Sequence, residues 1–166
     1  MSRYLRTAVA LAGCLSAFCA MADEPAQYQL FNTLAHCQGS REQIAEFNRL
    51  VDAGQLSFSR DEAHGPWGGG AWQLGEALRI GVVSSKTAVM TDRFSFFILV
   101  ASASPHADMQ KAAKALKLEK KHDSDGYVAY QRDLDSAGVN TLQVVSTEDA
   151  KRNFYVGCSY SPPSAS

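Results

Sequence analysis

From residue 71 to residue 102 the chain reads AWQLGEALRIGVVSSKTAVMTDRFSFFILVAS, its longest apolar, β-prone stretch outside the N-terminus. Near the end of that stretch Phe94, Phe96, Ile98 and Val100 alternate with Arg93, Ser95, Phe97 and Leu99. A period of two puts one set on each face of a strand. Phe97 and Leu99 are apolar as well, so both faces are expected to be covered. That places this strand at the centre of a sheet. Ser84-Ser85 and Thr91-Asp92 interrupt the stretch, which therefore reads as three antiparallel strands joined by short turns.

Two helices flank this region in the sequence. Ser40 and Gln43 have the spacing of a capping box, and Ile44, Phe47, Leu50 and Val51 succeed them at helical spacing. Gly54 stands where a left-handed cap belongs. The helix is predicted over 41–53. Ser104 and Pro105 open a second helix over 106–121, with Met109, Ala112, Ala113 and Leu116 as its buried stripe. Residues 23–34 read either as a short strand or as a helical turn. Further strands are predicted over 127–133, 140–147 and 154–160, separated by turns at 123–126 and 135–138. Pro162-Pro163 ends the last of them. The predicted class is α+β. Two successive helix-plus-three-strand units build one antiparallel sheet, or two half-sheets, with two helices packed on one face.

The N-terminus is read separately. Arg3 and Arg6 precede an apolar run from Ala8 to Phe18, and Ala20-Met21-Ala22 comes next. This is the pattern of a secretory signal over 1–22, with cleavage after Ala22 and a single exported domain over 23–166, its ordered core about 28–161. A membrane span needs about 20 apolar residues, more than this run supplies. Leu11-Ala12-Gly13-Cys14 resembles a bacterial lipobox and gives the alternative of a lipoprotein anchored at Cys14. Against it, the apolar stretch before Cys14 is short, and the run continues through Leu15, Ala17 and Phe18.

Of the four cysteines, Cys14 and Cys19 go with the signal. Cys37 and Cys158 remain as an even pair bound for an oxidising compartment and are predicted to bond. A nucleophilic or metal-binding role for Cys37 beside His36 is disfavoured by the available oxidation partner. Loss of Arg3 and Arg6 takes the formal net charge from -1 to about -3, so there is no basic excess for nucleic acid or an anionic membrane surface.

The loop around Arg60-Asp61-Glu62-Ala63-His64-Gly65-Pro66-Trp67 is the main functional candidate. It joins both charge signs, an imidazole and a tryptophan on a glycine-rich backbone, and long loops in compact domains are functional or mobile. Arg60, Asp61, His64, Trp67 and the nearby Trp72 are taken as candidate binding residues. Either Trp67 is presented to a partner, or it folds back on the core and the glycines merely allow the turn. The glycines make no phosphate cradle, because a strand comes after them and not a helix.

No motif assigns catalysis, a metal or a cofactor. His36, His64, His106 and His122 lack zinc-ligand spacing. Lys121 occupies the first ligand position of what would be a calcium loop at Asp123-x-Asp125-Gly126. Ser84-Ser85-Lys86 lacks a nucleophile-elbow pattern and suits a hairpin turn. Asp61 and Glu62 are adjacent in sequence, which does not bring them together across a substrate. The expected function is that of a non-catalytic exported binding protein of a bacterial envelope, of the inhibitor, immunity or chaperone type. Its partner would be another envelope or secreted protein, without nucleic acid and without an integral membrane span. The sequence sets no oligomeric state. Two alternatives stand beside it. One is a small apolar-ligand carrier with a cavity lined by Trp72, Phe96 and Met109. The other is an enzyme whose site would show as convergent carboxylates or a histidine–carboxylate pair in a cleft.

Overall fold

The computed structural model describes residues 24–135, 139–149 and 151–163. The signal read over 1–22, with Cys14 and Cys19, lies outside the described residues, as does the 136–138 part of one expected turn. The elements in chain order are α1 (Glu24–Ala35), α2 (Arg41–Asp52), β1 (Ser59–Arg60), β2 (Gly70–Ile80), β3 (Val83–Asp92), β4 (Ser95–Ala101), α3 (Pro105–Leu116), β5 (Glu119–Ser124), β6 (Tyr127–Asp133), β7 (Asn140–Ser146) and β8 (Asn153–Tyr160). The strands form one open antiparallel sheet in the order β1-β2-β3-β4-β8-β7-β6-β5. The alternating strand read as central is β4, and it sits between β3 and β8.

The register shows which face the helices cover. Phe96, Ile98 and Val100 of β4 lie opposite Cys158, Val156 and Phe154 of β8. Cys158 and Val156 lie in turn opposite Leu142 and Val144 of β7. Side chains opposite one another share a face. These residues form one continuous core with Phe31 and Leu34 of α1, Ile44 and Phe47 of α2, and Met109, Ala112 and Ala113 of α3. All three helices therefore pack on the same side. Phe96 stands at the centre of that core. Its ring lies 6.3 Å from Phe31, 5.8 Å from Phe47 and 5.9 Å from Tyr160, all edge-on, a favoured arrangement for aromatic rings.

The expected bond between Cys37 and Cys158 is present, with S–S 2.05 Å and Cα–Cα 5.2 Å across 121 residues. Its setting explains the geometry. Cys37 takes φ +60 as α1 ends, Gln38 N–H donates to Thr33 O and Cys37 N–H to Leu34 O. This is a Schellman ending with a cysteine where glycine is usual. β8 secures the same helix end a second time: Tyr160 Oη donates to Leu34 O at 2.8 Å and accepts from Gly39 N–H at 3.1 Å. Burial pushes that phenol's pKa up to about 12, although the Gly39 contact works the other way.

Several expectations need correction. The described residues form three helices, not two, because residues 24–35 are helical. Their inward positions are Gln27, Phe31, Leu34 and Ala35, a helical spacing whose first member is polar. Gln27 is buried because both ends of its amide are used, donating to Gln55 O and accepting from Ser57 N–H. The helix read over 106–121 stops at Leu116. Lys117 takes φ +56, and Leu118 N–H closes back on Ala113 O. The next element is the wholly exposed strand β5, joined to β6 by a two-residue Asp125-Gly126 turn with φ +54 and +82. Asp-Gly with both residues left-handed matches the right-handed twist of a hairpin. The first hairpin turns at Gly81-Val82, with Ile80 opposite Val83, so Ser84, Ser85 and Lys86 lie within β3 and not in a turn. Among the described residues there are thus two helices and four strands up to Ala101, and one helix and four strands after it. These are not two copies of one helix and three strands.

Candidate binding groove

Among the described residues, no helix covers the opposite face of the sheet. Its central residues are set by the same register. Ser95, Phe97 and Leu99 of β4 face Ser159, Gly157 and Tyr155 of β8, and Gly157 and Tyr155 face Gln143 and Val145 of β7. A small apolar cluster of Ala71, Val89, Phe97 and Leu99 forms here, with Tyr155 packed against it. Phe97 and Tyr155 stack at 5.8 Å and 27°. At Gly157 a side chain is excluded, since a Cβ would meet Phe96 O at 2.2 Å. An aromatic neighbour across the strand pair is the usual companion of such a glycine, and Phe97 supplies it.

Over this floor runs a groove of about 940 Å³, bordered by Pro66 and Trp67 of the β1–β2 loop and by Tyr127 of β6. In the sheet order these come from opposite sides of the central β4–β8 pair. A second hollow, of about 440 Å³ and containing His64, shares Pro66, Thr147, Glu148, Asp149 and Tyr155 with it. Burial, and then the nearby Glu148 carboxylate, push the Tyr155 phenol above its ordinary pKa.

The loop sequence dictates how Trp67 is shown. Gly69 N–H donates to Pro66 O at 3.0 Å, and Gly68 has φ +78. These are the marks of a type II turn with Trp67 at its first corner and glycine at the position that needs positive φ. Gly69 lies so close to the β3 backbone that a Cβ would fall 2.0 Å from Met90 O. Held on that corner, Trp67 is 92 % exposed and does not fold back on the core. The loop's other end is fixed by Asp61. Its carboxylate binds His64 Nδ1 at 2.8 Å and accepts from Gln73 Nε2, which also donates to Thr87 Oγ1. Burial works to raise the Asp61 pKa. The bonds from His64 and Gln73, the His64 charge and the Ala63 N–H outweigh it, and the carboxyl sits below its ordinary value. Tyr127, on the far border, is braced by the His122 ring at 5.4 Å.

The candidate residues thus separate. Trp67 and His64 border the two hollows, and Asp61 supports His64. Arg60 and Trp72 are directly opposite one another in the β1–β2 pair and belong to the helix-bearing side, where Trp72 is in the core. The Arg60 guanidinium lies 5.7 Å from the Trp72 ring centre and pairs with Glu62 at 2.9 Å. Sequence reasoning does not single out Tyr127, Tyr155 or Val145. The available signal is the second apolar face of β4, which asks for partners on β8 and β7.

His64 and Asp61 form a histidine–carboxylate pair beside a cleft, and a carboxylate so placed orients an imidazole. Among the described residues, however, no hydroxyl or thiol is bonded to His64 Nε2. The remaining histidines bond locally: His36 to Asn32 O, His106 to Gln110 and His122 to Ser124. Among the described residues no three His, Cys, Asp or Glu side chains gather as metal ligands. No described helix is long and apolar enough to cross a membrane. The disulfide indicates an oxidising, extracytoplasmic setting. Comparison with protein-family models, curated proteins and solved structures finds no match to this chain.

Proposed function

We propose that this is an exported, non-catalytic binding protein of the bacterial envelope, and that it holds another envelope or secreted protein on the helix-free face of its sheet. The observation that carries the reading is Trp67, fully displayed on a turn corner beside a groove floored by Phe97, Val145 and Tyr155. A large apolar side chain kept in water forgoes the roughly 25 cal/mol per Å² that burial would contribute. Displayed aromatic anchors over an apolar floor are what interface hot spots use. The signal over 1–22, with cleavage after Ala22 and release into the periplasm or beyond, belongs to the same proposal. Anchorage through Cys14 is its alternative.

An apolar-ligand site between sheet and helices draws less support, because Trp72, Phe96 and Met109 are all buried in one continuous side-chain core. The enzyme reading has only the His64–Asp61 pair, whose bonds to Gln73 and Ala63 suit a loop anchor.

The test is a double variant, Trp67→Ala with Tyr127→Ala. Both residues are exposed, so melting is expected to stay within about 1–2 °C of wild type. Recovery of the partner from envelope extracts is expected to fall by about tenfold or more, the loss of one hot-spot anchor. Equal recovery of every partner would remove this face from the proposal.

A further inference from the structure

We infer that the occupant of the groove is an extended, cationic segment of a polypeptide; this rests on the reading of the helix-free face as the binding surface. The groove joins its aromatic borders to an uneven charge balance. Asp92, Asp125, Glu148 and Asp149 border it against Lys151 alone. Asp92 is engaged with Phe94 N–H at 2.7 Å and Ser95 Oγ at 3.0 Å. Asp149 meets Arg152 only at 3.9 Å. Asp125 and Glu148 hold no cation among the described residues.

Four carboxylates elsewhere on the surface are matched by a cation. Glu46 pairs with Arg49 at 2.8 Å, Asp52 with Arg93 at 3.0 Å, Asp123 with Lys120 at 2.7 Å and Glu119 with Lys121 at 2.7 Å. Within the groove, four carboxylates against one ammonium leave a net negative charge beside the exposed rings of Trp67 and Tyr127. Such a site attracts fixed positive charge and repels phosphate-bearing lipids and glycans. The rings suit the stems and guanidinium planes of basic side chains, which stack on Trp and Tyr faces. The floor of Phe97, Val145 and Tyr155 takes the apolar residues between them.

The segment lies across the face and does not extend the sheet. One edge strand, β1, has two residues. The other, β5, is Glu-Lys-Lys-His-Asp-Ser, fully exposed and bulged between Lys120 and His122. Short, charged and bulged edges resist added strands.

The experiment titrates the full mature chain with three synthetic peptides of equal length. One alternates Lys with Phe and Thr, one replaces each Lys by Glu, and one replaces each Lys by Gln. Trp67 emission is the reading, since Trp72 is already buried; a Trp67→Phe control identifies the source. The Lys peptide is expected to shift the emission to the blue. Its affinity should fall about tenfold between about 0.05 and about 0.5 M salt, and about fivefold or more in an Asp125→Asn, Glu148→Gln variant. Equal binding of the Glu or Gln peptide, or no effect of the charge variant, overturns the cationic assignment and leaves the groove as binding surface. The same holds if no peptide binds while the Trp67→Ala, Tyr127→Ala protein loses its partner. A partner retained by that double variant overturns the underlying reading instead.

Discussion

The Cys37→Ala, Cys158→Ala double variant is expected to lose about 4–5 kcal/mol of unfolding free energy, at the top of the range for any change in this chain. The bond closes a sequence separation of 121 residues, and the chain-entropy cost imposed on the unfolded state grows with the length of the loop. The folded state loses little else. Cys158 is fully buried in β8 and Cys37 is 7 % exposed, so the double variant leaves no stray thiol and only small voids. Tyr160 still holds the end of α1 through Leu34 O and Gly39 N–H, which is why the native geometry is expected to survive. Urea unfolding at one pH measures the difference. For a domain of this size it corresponds to a fall in Tm of about 10–15 °C. Wild type treated with a reductant should unfold at the same midpoint as the double variant. A midpoint unchanged by either treatment would mean that the bond does not restrain the unfolded chain.

Phe96→Ala is expected to cost about 3–5 kcal/mol, with Phe97→Ala costing about half as much. The two residues are neighbours, at 0 % and 3 % exposure, and burial alone would rank them together. Their faces differ. Phe96 joins Phe31 of α1, Phe47 of α2 and Tyr160 of β8, so its removal leaves a closed void among elements that cannot collapse together. Phe97 lines the open groove, where water fills the space its ring vacates. Equilibrium unfolding of the two variants reads the contrast directly. Equal losses would mean that the second face is as tightly sealed as the first.

The three helix ends show how much of this fold is legible in the sequence. Each closes in the same way, with a left-handed residue at Cys37, Gly54 or Lys117. Glycine at that position is a signal, because it adopts positive φ without strain. Cysteine and lysine there give none, so the sequence marks the end of α2 to within a residue but runs α3 on into β5. The capping box at Ser40 and Gln43 is legible because it depends on residues in fixed local spacing, and it is present. α1 reads ambiguously because a buried, fully bonded Gln27 breaks the apolar stripe. β5 is hidden by its lysines, which suit a helix C-terminus and a charged sheet edge equally well.

For the site, local chemistry is legible and long-range placement is not. The tryptophan on a glycine turn stands out, and the structure shows it displayed. The pairing of Phe97 with Tyr155, and the arrival of Tyr127 across from Trp67, depend on the β4–β8–β7–β6 order. Strand order is set by contacts among residues far apart in the chain, and no local pattern encodes it. Arg60 and Trp72 show the complementary case. A single step along a strand reverses the face, and both residues fall on the helix-bearing side.

One face of this sheet is sealed by helices and stapled by a disulfide, and the proposed partner would sit on the other. A photo-cross-linking residue placed in living cells at position 67, 127 or 151, and separately at 45, 82 or 111, tests that placement most directly. All six positions are exposed, so accessibility does not favour one set. The first set borders the groove; the second lies on α2, in the β2–β3 turn and on α3. One discrete adduct, of the same mass, is expected from the first set and none from the second. Adducts of equal yield from both sets, or from the helices alone, would contradict that placement.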